Sequence, residues 1–254
     1  MRIARILHGG RPVHAVVEGD GLALLDDLPG SRPSGVTLPL AGARLLAPAD
    51  PRVVLGMAHN AGPADRLLPP QAFLKPSRTV VGPGAPIPLP DGIGHVDAEG
   101  ELAVVIGTTA RHLTAADALD AVLGYTVAND VTARDLQRTD PLWTAAKGQD
   151  AFTPLGPWIE TDLDAFDAEI TVSRNGHALR GASTRDLARD VVEVLVYVTS
   201  MLTLGPGDVV LTGAPGECAR IRPGDTVEIT VAGLGTLANP VVAAPVPALA
   251  LETR

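Results

Sequence analysis

Three carboxylates recur at alternate positions in the stretch HVDAEGELAVVIG, near the middle of the chain. Asp97, Glu99 and Glu101 precede an apolar run that continues to Ile106. Residues two apart in a β-strand share one face, so the three carboxylates would crowd one side of a core-like segment. Burying them without partners would cost a large amount of free energy. The pattern therefore predicts either a solvent-exposed strand face or a positive charge bound against it.

Two further segments place polar residues where they could join this group. The stretch GYTVANDVTARDLQ carries Asp130 at the end of an apolar strand, with Arg134 four residues later. The stretch AAKGQDAFTPLGPW carries Lys147 in a loop rich in glycine and proline. Because Cys218 is the only cysteine in the sequence, the ligands would be oxygens. Such a cluster suits a hard divalent cation (Mg²⁺, Mn²⁺ or Ca²⁺) better than zinc.

The elements that must position these residues are mostly strands. The 23 prolines and 27 glycines are scattered, as is typical of short strands separated by many turns. Residues 1–48 predict a small N-terminal β domain, and residues 49–254 a larger catalytic domain. The pattern predicts a helix over 114–124, and a longer one whose apolar positions run from Leu187 to Leu202. Irregular strand spacing argues against a βαβ series, so the expected class is α+β with mostly β structure.

Composition excludes several kinds of partner. The chain has 254 residues, 46% of them hydrophobic, and a formal net charge of −9. That charge disfavours nucleic acid and anionic membranes as the main partners. No segment approaches the roughly 20 apolar residues of a membrane span, and the first residues lack the pattern of a signal peptide. We therefore expect a cytoplasmic protein.

Five stretches together make the sequence similar to a known superfamily: VDAEGELAVVIG, GYTVANDVTARDLQ, KGQDAFTPLGPW, NGHALRGASTRDL and LTLGPGDVVLTGAPGE. In this order and spacing they resemble the fumarylacetoacetate hydrolase superfamily over roughly residues 52–242. The resemblance implies a mixed β-roll or β-sandwich catalytic domain behind a small N-terminal domain. It also implies a homodimer and a small oxo-acid substrate.

The resemblance also implies roles for individual residues. Glu99, Glu101 and Asp130 would bind Mg²⁺ or Mn²⁺, and a 2-oxo or 2,4-dioxo acid would chelate that ion through its carbonyl groups. Lys147 would lie beside the substrate and stabilise the enolate formed when a C–C bond breaks next to a carbonyl. Other residues match positions that line the substrate pocket in the family: Lys75, Arg134, Gln137 and Thr212.

One segment departs from the family pattern. Members that hydrolyse or decarboxylate usually carry a histidine and a glutamate on a lid after the first strand of the catalytic domain. The corresponding stretch here is GMAHNAGPAD, with Gly62 at the histidine position, Asp65 at the glutamate position, and His59 three residues early. Three alternatives follow: His59 acts with Asp65, His95 acts instead, or the enzyme catalyses only enolisation, isomerisation or decarboxylation.

The sequence thus predicts a divalent-metal-dependent hydrolase that cleaves a C–C bond in an acylpyruvate-like or fumarylacetoacetate-like substrate. An isomerase, tautomerase or decarboxylase acting on the same substrates is the alternative, because the usual lid histidine is absent. A non-catalytic binding protein is less favoured, because the three carboxylates and Lys147 would have little purpose in an inactive site.

Overall fold

The computed structural model describes residues 1–26 and 33–245. The strands within them are β1 (Arg2–His8), β2 (Arg11–Glu18), β3 (Gly21–Leu25), β4 (Pro33–Pro39), β5 (Val54–Ala58), β6 (Gln71–Lys75), β7 (Val80–Val81), β8 (Ile87–Leu89), β9 (Val96–Ala98), β10 (Gly100–Ile106), β11 (Val122–Asn129), β12 (Thr132–Ala133), β13 (Thr153–Glu160), β14 (Glu169–Arg174), β15 (His177–Ala178), β16 (Ala182–Ser183), β17 (Val209–Leu211), β18 (Ala219–Ile221), β19 (Thr226–Val231) and β20 (Gly235–Ala243). The α-helices there are α1 (Arg134–Gln137), α2 (Thr144–Lys147) and α3 (Val191–Met201). The predicted class, mostly β with few helices, is confirmed.

The described strands form three sheets. The largest has the order β4-β3-β2-β1-β13-β11-β10-β17-β5-β6, with β7 paired to β13. A second sheet has the order β15-β14-β19-β20-β8, with β16 paired to β14, and a small third sheet has the order β12-β9-β18. The N-terminal strands β1 to β4 continue the largest sheet, because β1 pairs with β13. The division into domains at residue 48 stays a prediction.

Strand β10 occupies the middle of the core. Leu102, Val104 and Ile106 point into one hydrophobic cluster, whereas Ala103 and Val105 point into another. All five are fully buried. A strand buried on both faces needs apolar residues at successive positions, which explains why the acidic stretch is followed by an unbroken apolar run.

The chain passes from one sheet to another between Asp97 and Glu101. Asp97 lies on β9 of the three-stranded sheet, Glu101 lies on β10 of the largest sheet, and Glu99 falls between these strands. The expectation that all three carboxylates share the face of one strand is therefore wrong. The change of sheet, which residue spacing does not reveal, sends Asp97 and Glu101 to different neighbours.

The predicted helix over 114–124 is also wrong. A single 3-10 turn forms at Ala118–Ala121, and β11 begins at Val122. Before this turn, the amide and the hydroxyl of Thr114 both donate a hydrogen bond to Asp117 Oδ1. Gly124 lies within β11, where a Cβ would come 2.5 Å from the carbonyl oxygen of Glu160. Pairing of residues 122–124 with β10 thus overrides the helical pattern.

The long helix is shorter than its apolar pattern predicts. Helix α3 starts after Asp190, whose side chain accepts a hydrogen bond from the amide of Glu193, and Glu193 in turn accepts from the amide of Asp190. This reciprocal capping fixes the first turn, so Leu187 lies outside the helix. Strands β14 and β15 form a hairpin at Asn175-Gly176, with both turn residues in the left-handed region that such a turn requires.

Among the described residues, no helix is long and apolar enough to cross a membrane.

Gly100 offers a test of how tightly the carboxylate segment is packed. A Cβ at this position would lie 2.8 Å from Val172 Cγ2 and 3.0 Å from Ile229 Cγ2. We expect Gly100→Ala to lower the free energy of unfolding by about 1–3 kcal/mol through overpacking. Gly205→Ala is the control, since the nearest atom there is 3.7 Å away. Equal urea midpoints for the two variants would contradict this account.

Candidate metal centre and active-site cleft

Glu99, Glu101 and Asp130 converge on one point. Each offers a carboxylate oxygen, and the three oxygens lie within 4.8 Å of one another. Residues far apart in the sequence meet here because Asp130 follows β11, which pairs with β10 along its whole length. The amide of Asp130 also donates to the carbonyl oxygen of Glu99 at 2.9 Å. The carboxylates predicted as ligands therefore form a single cluster.

Glu101 lacks a cationic partner of its own. Its Oε2 accepts a hydrogen bond from the amide of Gly213 at 2.6 Å, and no ion pair to Glu101 occurs within residues 1–26 and 33–245. Burial, and then the negative charges of Asp130 and Glu99, raise its pKa well above the usual value. Gly213 can reach Glu101 because its φ of +111° is open to glycine, and a Cβ there would lie 2.5 Å from the Asn60 carbonyl oxygen.

Glu99 is in the opposite electrostatic situation. Arg134 Nη2 lies 2.5 Å from its Oε1, while Lys147 Nζ at 2.9 Å and the Thr132 hydroxyl at 2.6 Å contact its Oε2. Burial raises the pKa of Glu99, but the charges of Lys147 and Arg134 and these hydrogen bonds outweigh it and lower the pKa to about 2. Glu99 is therefore ionised at neutral pH.

Asp130 is held between two lysines. Lys75 Nζ lies 2.5 Å from Asp130 Oδ1, and Lys147 Nζ contacts Asp130 Oδ2. Lys75 is completely enclosed, and burial lowers its pKa, although the negative charge of Asp130 opposes that shift. Burial also acts to lower the pKa of Lys147, but the charges of Asp130 and Glu99 prevail and raise it. Lys147 therefore remains an ammonium group and is unsuited to act as a base.

These groups form the floor of a cleft of about 550 Å³. Of the residues predicted to act on the substrate or bind it, those that line the cleft are Lys147, His59, Asp65, Arg134 and Gln137. Lys75 and Thr212 lie buried behind it and are not among its lining residues. The Thr212 hydroxyl donates to the Leu102 carbonyl oxygen at 2.9 Å, so both side chains support the site from behind.

The lid segment brings His59 and Asp65 to the cleft without joining them. Asp65 Oδ2 accepts a hydrogen bond from the amide of Ala61 at 2.9 Å. The His59 ring packs edge-on against Trp143, with 5.8 Å between ring centroids. No hydrogen bond between His59 and Asp65 occurs in the described part of the chain. The position usual for the lid histidine, Gly62, precedes a short 3-10 turn at Pro63–Leu67.

His95 and Asp97 form a separate pair beside the metal centre. His95 Nε2 lies 2.6 Å from Asp97 Oδ1, and Arg134 Nε lies 2.8 Å from Asp97 Oδ2. Both oxygens of Asp97 are thus engaged away from the carboxylate cluster. His95 is not among the described residues that line the cleft. Asp97 instead orients Arg134, whose other end contacts Glu99 and Gln137.

Sequence reasoning missed several residues of the cleft. Phe73 and Trp143 form an aromatic wall with 5.5 Å between ring centroids. Lys147 Nζ lies 4.5 Å from the centroid of Phe73 and 5.9 Å from that of Trp143. Trp143 stands four residues before Lys147, a spacing that places two side chains on one face of a helix. Cys218, the single cysteine of the sequence, also lines the cleft, with Sγ 3.8 Å from Glu99 Oε1.

The residues present fit a divalent cation. Three carboxylate oxygens within 4.8 Å form a hard-donor set, and buried Glu101 supplies a negative charge that no protein cation balances among the described residues. Lysine and arginine already neutralise Glu99 and Asp130. A dication at this point would relieve the cost of ionising Glu101.

Comparison with known proteins identifies the family. Residues 47–242 match the fumarylacetoacetate (FAA) hydrolase C-terminal family, and residues 1–48 match the Rv2993c-like N-terminal family. The chain therefore belongs to the fumarylacetoacetate hydrolase family. It is 45% identical to Protein Rv2993c of Mycobacterium tuberculosis over 222 residues, which cover 82% of each chain.

Two solved structures illustrate the range of the family. One is named 5-carboxymethyl-2-hydroxymuconate delta-isomerase from Mycobacterium smegmatis; it is 41% identical, with a TM-score of 0.91 over 96% of this chain and 100% of that one. The other is maleylpyruvate hydrolase from Sphingobium sp. SYK-6, in complex with manganese(II) ion and pyruvate. It is 28% identical, with a TM-score of 0.83 over 96% of this chain and 100% of that one. The family thus includes isomerases and hydrolases.

Replacing Glu101 tests the metal centre. We expect Glu101→Gln to weaken Mn²⁺ binding by at least about tenfold, measured calorimetrically, because one anionic oxygen is lost. Without metal the variant should unfold at the same temperature as the wild type or a higher one, since a buried charge is removed. It should also lose the rise in unfolding temperature that Mn²⁺ produces.

Asp97→Asn provides the matched control. Both of its carboxylate oxygens are engaged by Arg134 and His95, so Mn²⁺ affinity should change only a few-fold. An equal loss of affinity in the two variants would refute the assignment of ligands.

Replacing Lys75 tests the support behind Asp130. We expect Lys75→Met to lower the free energy of unfolding by up to about 3 kcal/mol, because one oxygen of a buried carboxylate loses its partner. The double variant Lys75→Met/Asp130→Asn should recover part of that loss. Arg138→Met is the control: it removes an exposed ion pair to Asp135, and the urea midpoint should stay close to that of the wild type.

Proposed function

We propose that this protein is a divalent-metal-dependent hydrolase that cleaves a C–C bond in 2-oxo or 2,4-dioxo carboxylates such as acylpyruvates. One observation carries the proposal: the carboxylates of Glu99, Glu101 and Asp130 and the ammonium group of Lys147 lie together in one cleft. When bound, Mg²⁺ or Mn²⁺ would act as a Lewis acid toward the carbonyl groups of the substrate. Glu99, Glu101 and Asp130 would hold the ion.

The protein's own residues would stabilise the enolate, orient the substrate and exclude water. The Lys147 ammonium, kept charged by Asp130 and Glu99, would stabilise negative charge developing on the oxygen of an enolate. Arg134 and Gln137 line the same cleft and would orient the substrate, although Arg134 is partly occupied by Asp97 and Glu99. The aromatic wall of Phe73 and Trp143 would exclude water from one side of the site.

The reaction needs one water molecule. His59 would take a proton from water as the oxygen of that water adds to the acyl carbonyl carbon of an acylpyruvate. The bond between that carbon and its neighbour then breaks, and the electron pair remains on the departing fragment as the pyruvate enolate. Return of the proton to the enolate carbon gives pyruvate and the carboxylic acid of the acyl group.

An isomerase or tautomerase is the second candidate. Two observations favour it: no hydrogen bond joins His59 to Asp65 in the described residues, and a relative 41% identical is named an isomerase. Proton transfer within a 2-oxo acid needs the metal and Lys147 but no activated water. A decarboxylase would have the same requirements.

A single assay separates these candidates. Purified protein with Mn²⁺ is mixed with acetylpyruvate in oxygen-18 water, and products are analysed by mass spectrometry while the ultraviolet absorbance of the enol is followed. The hydrolase should release pyruvate and acetate with heavy oxygen in the acetate. We expect His59→Ala to lower the rate by about 100-fold or more.

His95→Ala is the control, because His95 does not line the cleft in the described structure, and its rate should stay within a few-fold of the wild type. Loss of absorbance without fragments would favour the tautomerase, and carbon dioxide released from oxaloacetate would favour the decarboxylase. Either result, with no acetate formed, would rule out the hydrolase.

A further inference from the structure

A second groove adjoins the cleft across a shared wall. This outer groove, of about 580 Å³, runs between strand β6, residues 141–144 and Tyr197 of helix α3. The cleft and the outer groove both touch Ala58, Phe73 and Trp143. The cleft and the outer groove are therefore adjacent, with only these three side chains between them.

The two cavities differ in charge. Buried anions and cations meet in the cleft, whereas none of the ten described residues that line the outer groove carries a charged side chain. Two of them, Leu74 and Leu142, are 64% and 78% exposed. Large apolar side chains grouped on a surface in this way commonly mark a place where an apolar ligand binds.

Two residues at the boundary between the cavities have strained backbones. Trp143 and His59, which pack edge-on, both have left-handed backbones, with φ values of 60° and 53°. This conformation is unfavourable for a non-glycine residue, so the surroundings must enforce it. Both rings line the cleft, and Lys147 Nζ lies 5.9 Å from the centroid of the Trp143 ring.

These observations, together with the proposed function, indicate which acyl tail the substrate carries. We propose that the 2-oxo acid head binds in the cleft and the acyl tail passes over Phe73 and Trp143 into the outer groove. The tail that fits is neutral, either alkyl or aryl, and does not end in a second carboxylate. A carboxylate there would face apolar side chains and find no cationic partner among the ten described residues that line the groove.

The test uses two acylpyruvates of equal chain length. One is hexanoylpyruvate, and the other carries a carboxylate in place of its terminal methyl group; acetylpyruvate, which has almost no tail, reports the basic reaction. With Mn²⁺, the wild type should favour hexanoylpyruvate over the dicarboxylate by about tenfold or more in kcat/KM. Leu142→Lys, which places a cation in the outer groove, should abolish or reverse that preference.

Leu119→Lys is the matched control, because Leu119 is also exposed (41%) and lines neither cavity. It should retain the wild-type preference.

A binding measurement that needs no turnover uses Trp143 fluorescence in a Trp158→Phe background, which leaves Trp143 as the only tryptophan. A 2-oxo acid with the hexanoyl-length tail but no second carbonyl should change this fluorescence at lower concentration than its dicarboxylate counterpart.

Each outcome has a distinct meaning. If acetylpyruvate is consumed but the wild type does not distinguish the tails, or Leu142→Lys leaves the preference unaltered, the tail inference alone is wrong. If Leu142→Lys converts a dimer to a monomer by light scattering without altering the preference, a second copy of the chain covers the groove and the inference is overturned. If no acylpyruvate is consumed or bound, the proposed function fails, and the inference with it.

Discussion

The site depends on how one buried carboxylate is held. Asp130 has an ammonium group on each oxygen, from Lys75 behind the site and from Lys147 at its surface. The chain has 20 basic residues, and only these two are lysines. Burying an anion between two cations is tolerable because each charge replaces the water that the others have lost. The meeting of β6, α2 and the end of β11 is what allows it.

Charge around the cleft is nearly balanced, and the imbalance is localised. Four carboxylates face three cationic side chains: Asp97, Glu99, Glu101 and Asp130 against Lys75, Lys147 and Arg134. The unmatched charge lies on Glu101, the ligand candidate whose pKa is raised. A dication would leave one positive charge in excess, which suits the single carboxylate of a 2-oxo acid head group.

Some of this arrangement could be predicted from sequence and some could not. The mostly-β class followed from scattered prolines and glycines, and the carboxylate cluster followed from spacing combined with family resemblance. The pocket roles predicted for Lys75 and Thr212 did not anticipate that their side chains turn inward, because that direction depends on tertiary packing. The predicted helix over 114–124 was wrong because β11 already begins at Val122 and pairs with β10 there.

The scarcity of lysine has a practical consequence for chemical labelling. Arginine supplies every other basic side chain, so reagents that attack amines find no lysine on the ordinary surface. Lys75 is enclosed, and Lys147 lies almost entirely buried against two carboxylates. Reductive methylation should therefore modify Lys75 and Lys147 only after unfolding, so the difference in labelling between the folded and the unfolded protein comes from these two active-site lysines alone. The two amines that hold Asp130 thus report whether the site is intact, and no other lysine in the sequence adds to that signal.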